Sequence, residues 1–172
     1  MFRPLRPRLL HLLSAVPLAA ALLVLPAAPA SANGPSADLT CTITFTSDIN
    51  PPITPEDGPH SATTHGLTGT ADCTGTVDGE TVTGTGTFAL YSEGTGSCES
   101  GSGSATFVLQ VPTTGGIATV TGRTDFAFGP GISGSSFTGD LTGTGETIAT
   151  EGDCVNTPLT QGTTRFEGTV IT

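Results

Sequence analysis

The stretch LTCTITFT, residues 39–46, decides the fold class, because its apolar and polar side chains alternate without exception. Four threonines fall on one parity, and the other parity holds the apolar residues Leu39, Cys41, Ile43 and Phe45. A period of two is typical of a β-strand that buries one face, and β-branched threonine suits a strand's exposed face. The stretch therefore predicts a half-buried strand with a threonine-coated outer surface.

The same alternation recurs along the chain and predicts further strands at residues 67–77, 80–91, 105–111, 117–128, 137–149 and 164–171. In the run at 137–149, Ile148 is out of phase with Phe137 and Leu141, which predicts a bulge or an early end there. Glycine-rich turn signals separate the runs at residues 78–79, 93–96, 114–116 and 129–131. About seven short strands without helical periodicity predict an all-β domain, an antiparallel meander that forms a small barrel or a sandwich.

Glycines recur on the parity that the strands are predicted to bury: Gly69, Gly84, Gly86, Gly139 and Gly143. Small inward residues let opposite walls approach each other closely. We therefore expect a filled interior rather than a hollow one.

Four cysteines are present: Cys41, Cys73, Cys98 and Cys154. In an exported chain without a CxxC motif they predict two structural disulfides, for which three pairings exist. Cys41 and Cys73 lie on the buried parity of consecutive strands, near opposite ends, so an antiparallel hairpin would bring them face to face. We therefore predict the pair Cys41–Cys73, which leaves Cys98 with Cys154.

The N-terminal segment has the features of a secretory signal peptide. Three arginines, Arg3, Arg6 and Arg8, precede the apolar run LLHLLSAVPLAAALLVLP, and the small residues Ala30, Ser31 and Ala32 follow it. This order predicts cleavage after residue 32. The predicted organisation is a removed signal peptide at residues 1–32 and one secreted, extracellular β-domain at residues 33–172.

Charge limits the partners of the predicted mature domain. Beyond residue 32 only Arg123 and Arg165 oppose fifteen acidic residues. Nucleic acids and anionic membranes bind proteins through clustered lysine and arginine. We therefore predict neither nucleic-acid nor membrane binding, and we expect an extracellular protein or a cell-wall component as the partner.

Short motifs in the chain are arranged as in one group of exported proteins. These motifs are the spacing CxxxF from Cys41 to Phe45, the segments PPIT at 51–54, GSC at 96–98 and FTGD at 137–140, and the run SGSGSAT. In this arrangement the chain resembles small secreted β-rich proteins of actinobacteria that have no assigned function. The resemblance implies a fold, and it implies no activity.

The stretch PEDGPHSATTH, residues 55–65, holds the residue types of a possible metal or partner contact: Glu56, Asp57, His60 and His65. Imidazole and carboxylate are ligands for zinc and other divalent ions. The histidine spacing of five, however, fits no common ligand set, and four nearby prolines predict an extended, solvent-exposed loop over residues 47–65. Long loops are often functional, so this loop is the expected contact site.

We predict a non-catalytic extracellular domain without a cofactor, which acts by surface interaction or as a structural component. One alternative is a carrier of a small apolar ligand, with a cavity in the barrel lined by Phe45, Phe88, Phe107 and Phe126. The other alternative is a metal-binding protein or a hydrolase that uses His60 and His65. A hydrolase needs a base beside a nucleophile, and no sequence motif here specifies that arrangement.

Overall fold

A computed structural model describes residues 34–172, and the predicted signal peptide lies outside these described residues. The fold is all-β, as predicted. Ten strands follow in order: β1 (Ala37–Ile53), β2 (Gly58–Thr64), β3 (Gly69–Val77), β4 (Glu80–Thr81), β5 (Gly86–Gly96), β6 (Gly101–Thr113), β7 (Gly116–Phe128), β8 (Gly134–Gly139), β9 (Leu141–Glu151) and β10 (Leu159–Ile171). A single 3-10 turn, Pro130–Ile132, lies between β7 and β8. The described part of the chain contains no helix long and apolar enough to span a membrane.

The strands form one antiparallel sheet that closes on itself, so the fold is a barrel and not a sandwich. From β5 to β10 each strand pairs with the next, and β10 pairs with β1 along twelve residue pairs. On its other side β1 pairs with β3 and then with β2, and both of these also pair with β5. Because β2 and β3 both lie between β1 and β5, one after the other along these strands, they count as one position in the ring. β4 pairs only with β3 and adds no position, so the ring has eight strand positions.

Several predicted boundaries are wrong for identifiable reasons. The predicted strand 137–149 is the hairpin of β8 and β9, which reverses around Asp140; Ile148 is exposed on the outer face, and β9 has its bulge two residues later, opposite Gln161 and Gly162. The predicted turn at 93–96 lies inside β5. Its glycines are needed there because neighbouring backbone atoms, such as the Ser102 carbonyl oxygen beside Gly94, leave no room for a side chain.

One half of the barrel interior is filled. Its fully buried side chains include Leu39, Ile43, Phe88, Phe107, Leu109 and Val170. We call this region, which includes the starts of β1 and β5 and the end of β10, the filled half. The ring centroids of Phe88 and Phe107 are 6.0 Å apart, and the angle between the two ring planes is 21°. The expectation of a filled interior is correct for this half.

Phenylalanine and glycine are paired across neighbouring strands throughout the interior. Six of the seven phenylalanines in residues 34–172 have a glycine as cross-strand partner: Phe88–Gly69, Phe107–Gly122, Phe126–Gly103, Phe128–Gly101, Phe137–Gly143 and Phe166–Gly145. A Cβ atom added at Gly122 would lie 2.6 Å from Cζ of Phe107. Four of these glycines, at positions 101, 122, 143 and 145, make room for an aromatic ring, which covers the backbone that glycine leaves bare. Of the predicted inward glycines, Gly84 and Gly139 are instead exposed.

A second, smaller apolar cluster closes the opposite end of the barrel, where four connections meet at residues 54–57, 97–100, 129–133 and 152–158. We call these connections the roof. Cys98 links them, because its N–H donates to the Thr54 carbonyl (2.9 Å) and its carbonyl accepts from the Gly131 N–H (2.8 Å). Ile132 of the third connection packs there against Ile53 and Leu159.

Both predicted disulfides are confirmed. Cys41 and Cys73 face each other across β1 and β3 in the filled half, with their Cα atoms 4.1 Å apart. Cys98 is bonded to Cys154 and so joins the second and fourth connections of the roof. Two structural disulfides indicate an oxidising environment.

Candidate functional site: an interior cavity below the roof

The segment predicted as an exposed loop over residues 47–65 is mostly strand, so that prediction is wrong. β1 runs to Ile53 and β2 starts at Gly58, with only residues 54–57 between them. The pairing of β1 with β2 stops at Asn50 and Ser61. Prolines are tolerated beyond these residues because fewer backbone N–H groups are needed there for hydrogen bonds between the two strands. His60 is consequently on a barrel strand, and it is only 7% exposed.

His60 faces a cavity of about 100 Å³ between the filled half and the roof. Phe45, Leu90 and Phe137 line its floor, and Ile53, Phe128 and Ile132 line it on the roof side. No aspartate, glutamate, lysine or arginine borders it. The cavity is therefore a mostly apolar, uncharged space, and we call the part of the barrel around it the hollow half.

The hollow half has room because three small residues lie side by side on its wall. Ala62 of β2 is opposite Ser92 of β5, and Ser92 is opposite Ala105 of β6. On the next strand, Phe126 and Phe128 stack with centroids 6.4 Å apart and planes 9° apart. The centroid of His60 lies 5.9 Å from that of Phe128. The cavity thus has one wall of small residues and an aromatic wall that the imidazole extends.

Two buried polar atoms on the cavity wall lack a hydrogen-bond partner among the described residues: Oγ of Ser47 and Nδ1 of His60. Both residues are 7% exposed. The other hydroxyl groups on the wall are satisfied within the protein. Those of Ser92 and Ser135 donate to backbone carbonyls, and those of Thr147 and Thr164 bond each other at 2.9 Å. Because buried polar atoms are nearly always paired, these two exceptions identify the cavity as the candidate site.

Burial favours the uncharged form of the His60 imidazole at neutral pH. Burial lowers its pKa from the ordinary value, and a hydrogen bond with the Gly58 backbone offsets part of that change. A neutral imidazole suits a cavity without acidic neighbours, because a buried cation would have no counter-charge there.

The other residues of the predicted contact site lie apart from His60. Glu56 and Asp57 are exposed in the roof connection between β1 and β2, and His65 is exposed between β2 and β3. Nε2 of His65 contacts the Asp48 carboxylate, and the Gln161 amide donates to the same carboxylate at 2.8 Å. Within residues 34–172, no three His, Cys, Asp or Glu side chains come close enough to hold a metal ion.

Two of the four predicted cavity residues, Phe45 and Phe126, line the cavity, while Phe88 and Phe107 lie in the filled half. Sequence reasoning missed Ser47 and Phe128 as cavity residues. A signal for Ser47 was present, since the buried parity of residues 39–45 continues through Ser47, Ile49 and Ile53.

Comparison of the chain with protein-family models, with curated proteins and with solved structures finds no match.

Proposed function

We propose that this chain is a secreted, non-catalytic binding domain that holds a small, largely apolar ligand in the cavity of its hollow half. The observation that carries the proposal is the pair of unpartnered atoms, Oγ of Ser47 and Nδ1 of His60, on an otherwise apolar wall. Leaving a buried polar atom unpaired costs about 1–3 kcal/mol. A ligand that bonds to such an atom recovers part of that free energy.

Size and charge restrict the ligand. An enclosed cavity of about 150 Å³ is sufficient to bind benzene, so a cavity of about 100 Å³ takes a ring of similar or smaller size. A ligand charge buried here would meet no opposite charge, which is unfavourable. The ligand class is therefore a small uncharged molecule, or a small uncharged group of a larger one that extends outside the barrel.

A binding role is favoured over hydrolysis by the arrangement of Ser47 and His60. Neither side chain is the hydrogen-bond partner of the other. The ladder places Ser47 opposite Thr64, four residues from His60, which corresponds to roughly 13 Å along the strand. A serine nucleophile needs its base within hydrogen-bond reach.

Secretion is supported by the signal-peptide features of residues 1–32 together with the two disulfides. The excess of acidic residues favours solubility outside the cell and disfavours nucleic acids as partners. The roof and the cavity would then face the extracellular medium, from which a small ligand can be taken up.

Binding of benzene, observed by two-dimensional ¹H–¹⁵N NMR, tests the proposal. We expect saturable shifts confined to residues that line the cavity. Ala62→Leu, which places a larger side chain in the cavity, should abolish them. Ala127→Leu is the matched control, because Ala127 is exposed on the outer face of β7. If benzene gives no saturable shifts in the folded wild-type protein, or binds Ala62→Leu equally well, the proposed function is wrong.

A further inference from the structure

His60 is the titratable side chain of the cavity wall. The other residues that line the cavity are aliphatic, aromatic, glycine, serine or threonine, and their side chains neither gain nor lose a proton near neutral pH. Histidine is the residue whose ordinary pKa places its change of charge in that range. The charge of the cavity is therefore set by His60 alone.

The acidic residues around His60 lie away from the cavity. Those on the paired strand β5, on β7 and in the connections of the roof are exposed, and none borders the cavity: Glu56, Asp57, Glu93, Glu99, Asp125 and Asp153. On β1, Asp48 is half-exposed and contacts His65 and Gln161. A protonated His60 would consequently have no carboxylate beside it in the cavity.

A charged His60 and a bound ligand make opposite demands on the cavity. An imidazolium needs water or a counter-charge, and the tilted ring of Phe128, with its centroid 5.9 Å away, replaces little of either. In the unliganded protein water can enter, since about 100 Å³ exceeds the space that one water molecule needs. A largely apolar ligand fills that space and excludes the water. Such a ligand therefore binds the protein with uncharged His60 more tightly than the protein with charged His60.

We infer that protonation of His60 and ligand binding exclude each other, so that acidification releases the ligand from the cavity. This inference rests on the proposed function and adds to it the regulation of the same site. Burial already lowers the pKa of His60 in the unliganded protein. A bound ligand removes the remaining water and should lower this pKa further, because the coupling between proton and ligand is reciprocal.

Benzene titrations followed by two-dimensional ¹H–¹⁵N NMR between pH 8 and pH 4.5 test the inference. We expect Kd to be constant above the folded pKa of His60 and to rise about ten-fold for each pH unit below it, as the uncharged fraction falls. His60→Phe should bind benzene with the same affinity at every pH. His60→Gln, with a smaller uncharged side chain, takes its place if the phenyl ring blocks binding.

His65→Gln is the matched control. His65 is the other histidine of residues 34–172 and is exposed between β2 and β3. Because His65 does not border the cavity, its replacement should leave the pH dependence of benzene binding unchanged.

Protonation of His60 is measured in the same samples from the ¹H NMR shift of its imidazole ring, while circular dichroism reports whether the domain is folded. Saturating benzene should lower the pKa of His60. The inference is wrong if Kd stays constant while His60 titrates, if His60 stays uncharged down to the pH at which the domain unfolds, or if the uncharged variant keeps the pH dependence. In each of these cases benzene binding at neutral pH still supports the cavity. Absence of binding at every pH would instead overturn the proposed function itself.

Discussion

Both the filled half and the hollow half of the barrel contain cross-strand phenylalanine–glycine pairs, but the first is packed with side chains and the second encloses a cavity. In the filled half, Phe107 lies over Gly122 and meets Phe88 and the aliphatic side chains of the opposite wall. In the hollow half, Phe128 lies over Gly101, but the wall beyond it carries Ala62 and small neighbours. The difference teaches that one row of small residues is sufficient to leave a cavity in an otherwise packed barrel.

The two halves also differ in how they treat polar groups. Both unpartnered buried side-chain atoms among residues 34–172 belong to Ser47 and His60 on the cavity wall. The filled half is built almost entirely from apolar side chains. Stability is therefore concentrated in one half, and the other half retains groups that are unfavourable unless a ligand binds them.

The largest expected effect is in the filled half. Phe107→Ala should lower the free energy of unfolding by about 4 kcal/mol, because it leaves a cavity in a fully packed region. Phe126→Ala is the matched variant in the hollow half, where the ring is only partly buried. It should lower the free energy of unfolding by about 2 kcal/mol. Since the chain has no tryptophan, urea unfolding is followed by circular dichroism. Equal losses in the two variants would contradict the distinction between the halves.

The next effect concerns the two disulfides, one in each half. Cys98→Ala with Cys154→Ala should lower the free energy of unfolding by about 3 kcal/mol and weaken benzene binding, because Cys98 holds the roof together. Cys41→Ala with Cys73→Ala should lower stability by a similar amount. Its effect on benzene binding should be small at temperatures where the protein stays folded. If both pairs of substitutions weaken benzene binding equally, the roof has no special role at the cavity.

The smallest expected effect is an increase in the free energy of unfolding rather than a decrease. His60→Phe should raise the free energy of unfolding by about 1 kcal/mol at pH 7, because it replaces an imidazole whose buried Nδ1 has no partner with an apolar ring of similar shape. The urea midpoint measures the change. Ser92→Ala is the control, and because its hydroxyl is bonded to the Ala62 carbonyl, it should not raise the midpoint. A midpoint for His60→Phe below that of the wild type would show that His60 stabilises the fold.

The stability gain from His60→Phe should also depend on pH. The pKa of His60 is lower in the folded protein than its unfolded value of about 6.5. As the pH falls below about 6.5, His60 is therefore protonated in the unfolded chain before it is protonated in the folded protein. Proton uptake by the unfolded chain lowers the free energy of unfolding of the wild type until the pH reaches the folded pKa. The difference in urea midpoint between His60→Phe and the wild type should widen from pH 7.5 to pH 5.5. A constant difference would contradict the burial of this imidazole.

Most of the fold could be predicted because most strands carry an alternating pattern of buried and exposed side chains. The alternation at residues 39–46 identified β1, and the shared parity of Cys41 and Cys73 identified their disulfide. The ends of the strands could not be predicted in the same way. Prolines at 51, 52, 55 and 59 resembled loop residues, although the ladder around them has few N–H groups to lose. This error hid the burial of His60.

The cavity could be predicted only in part, because parity specifies which side chains point inward and not which of them meet. Four phenylalanines point inward as predicted, but the strand register places Phe45 and Phe126 at the cavity and Phe88 and Phe107 in the filled half. Whether Nδ1 of His60 finds a partner depends on residues of several strands. That information is present only after the barrel has closed.

The pairing of phenylalanine with glycine has a consequence for how this chain can evolve. A side chain gained at Gly122 collides with the ring of Phe107 and also comes within 2.9 Å of Cβ of Asp140. We therefore expect single substitutions at Gly122 or at Gly101, whose added Cβ atom would meet the ring of Phe128, to be selected against. Among descendants of a common ancestor we expect the two positions to change together, so that covariation of glycine with an aromatic residue would trace the strand register without a structure.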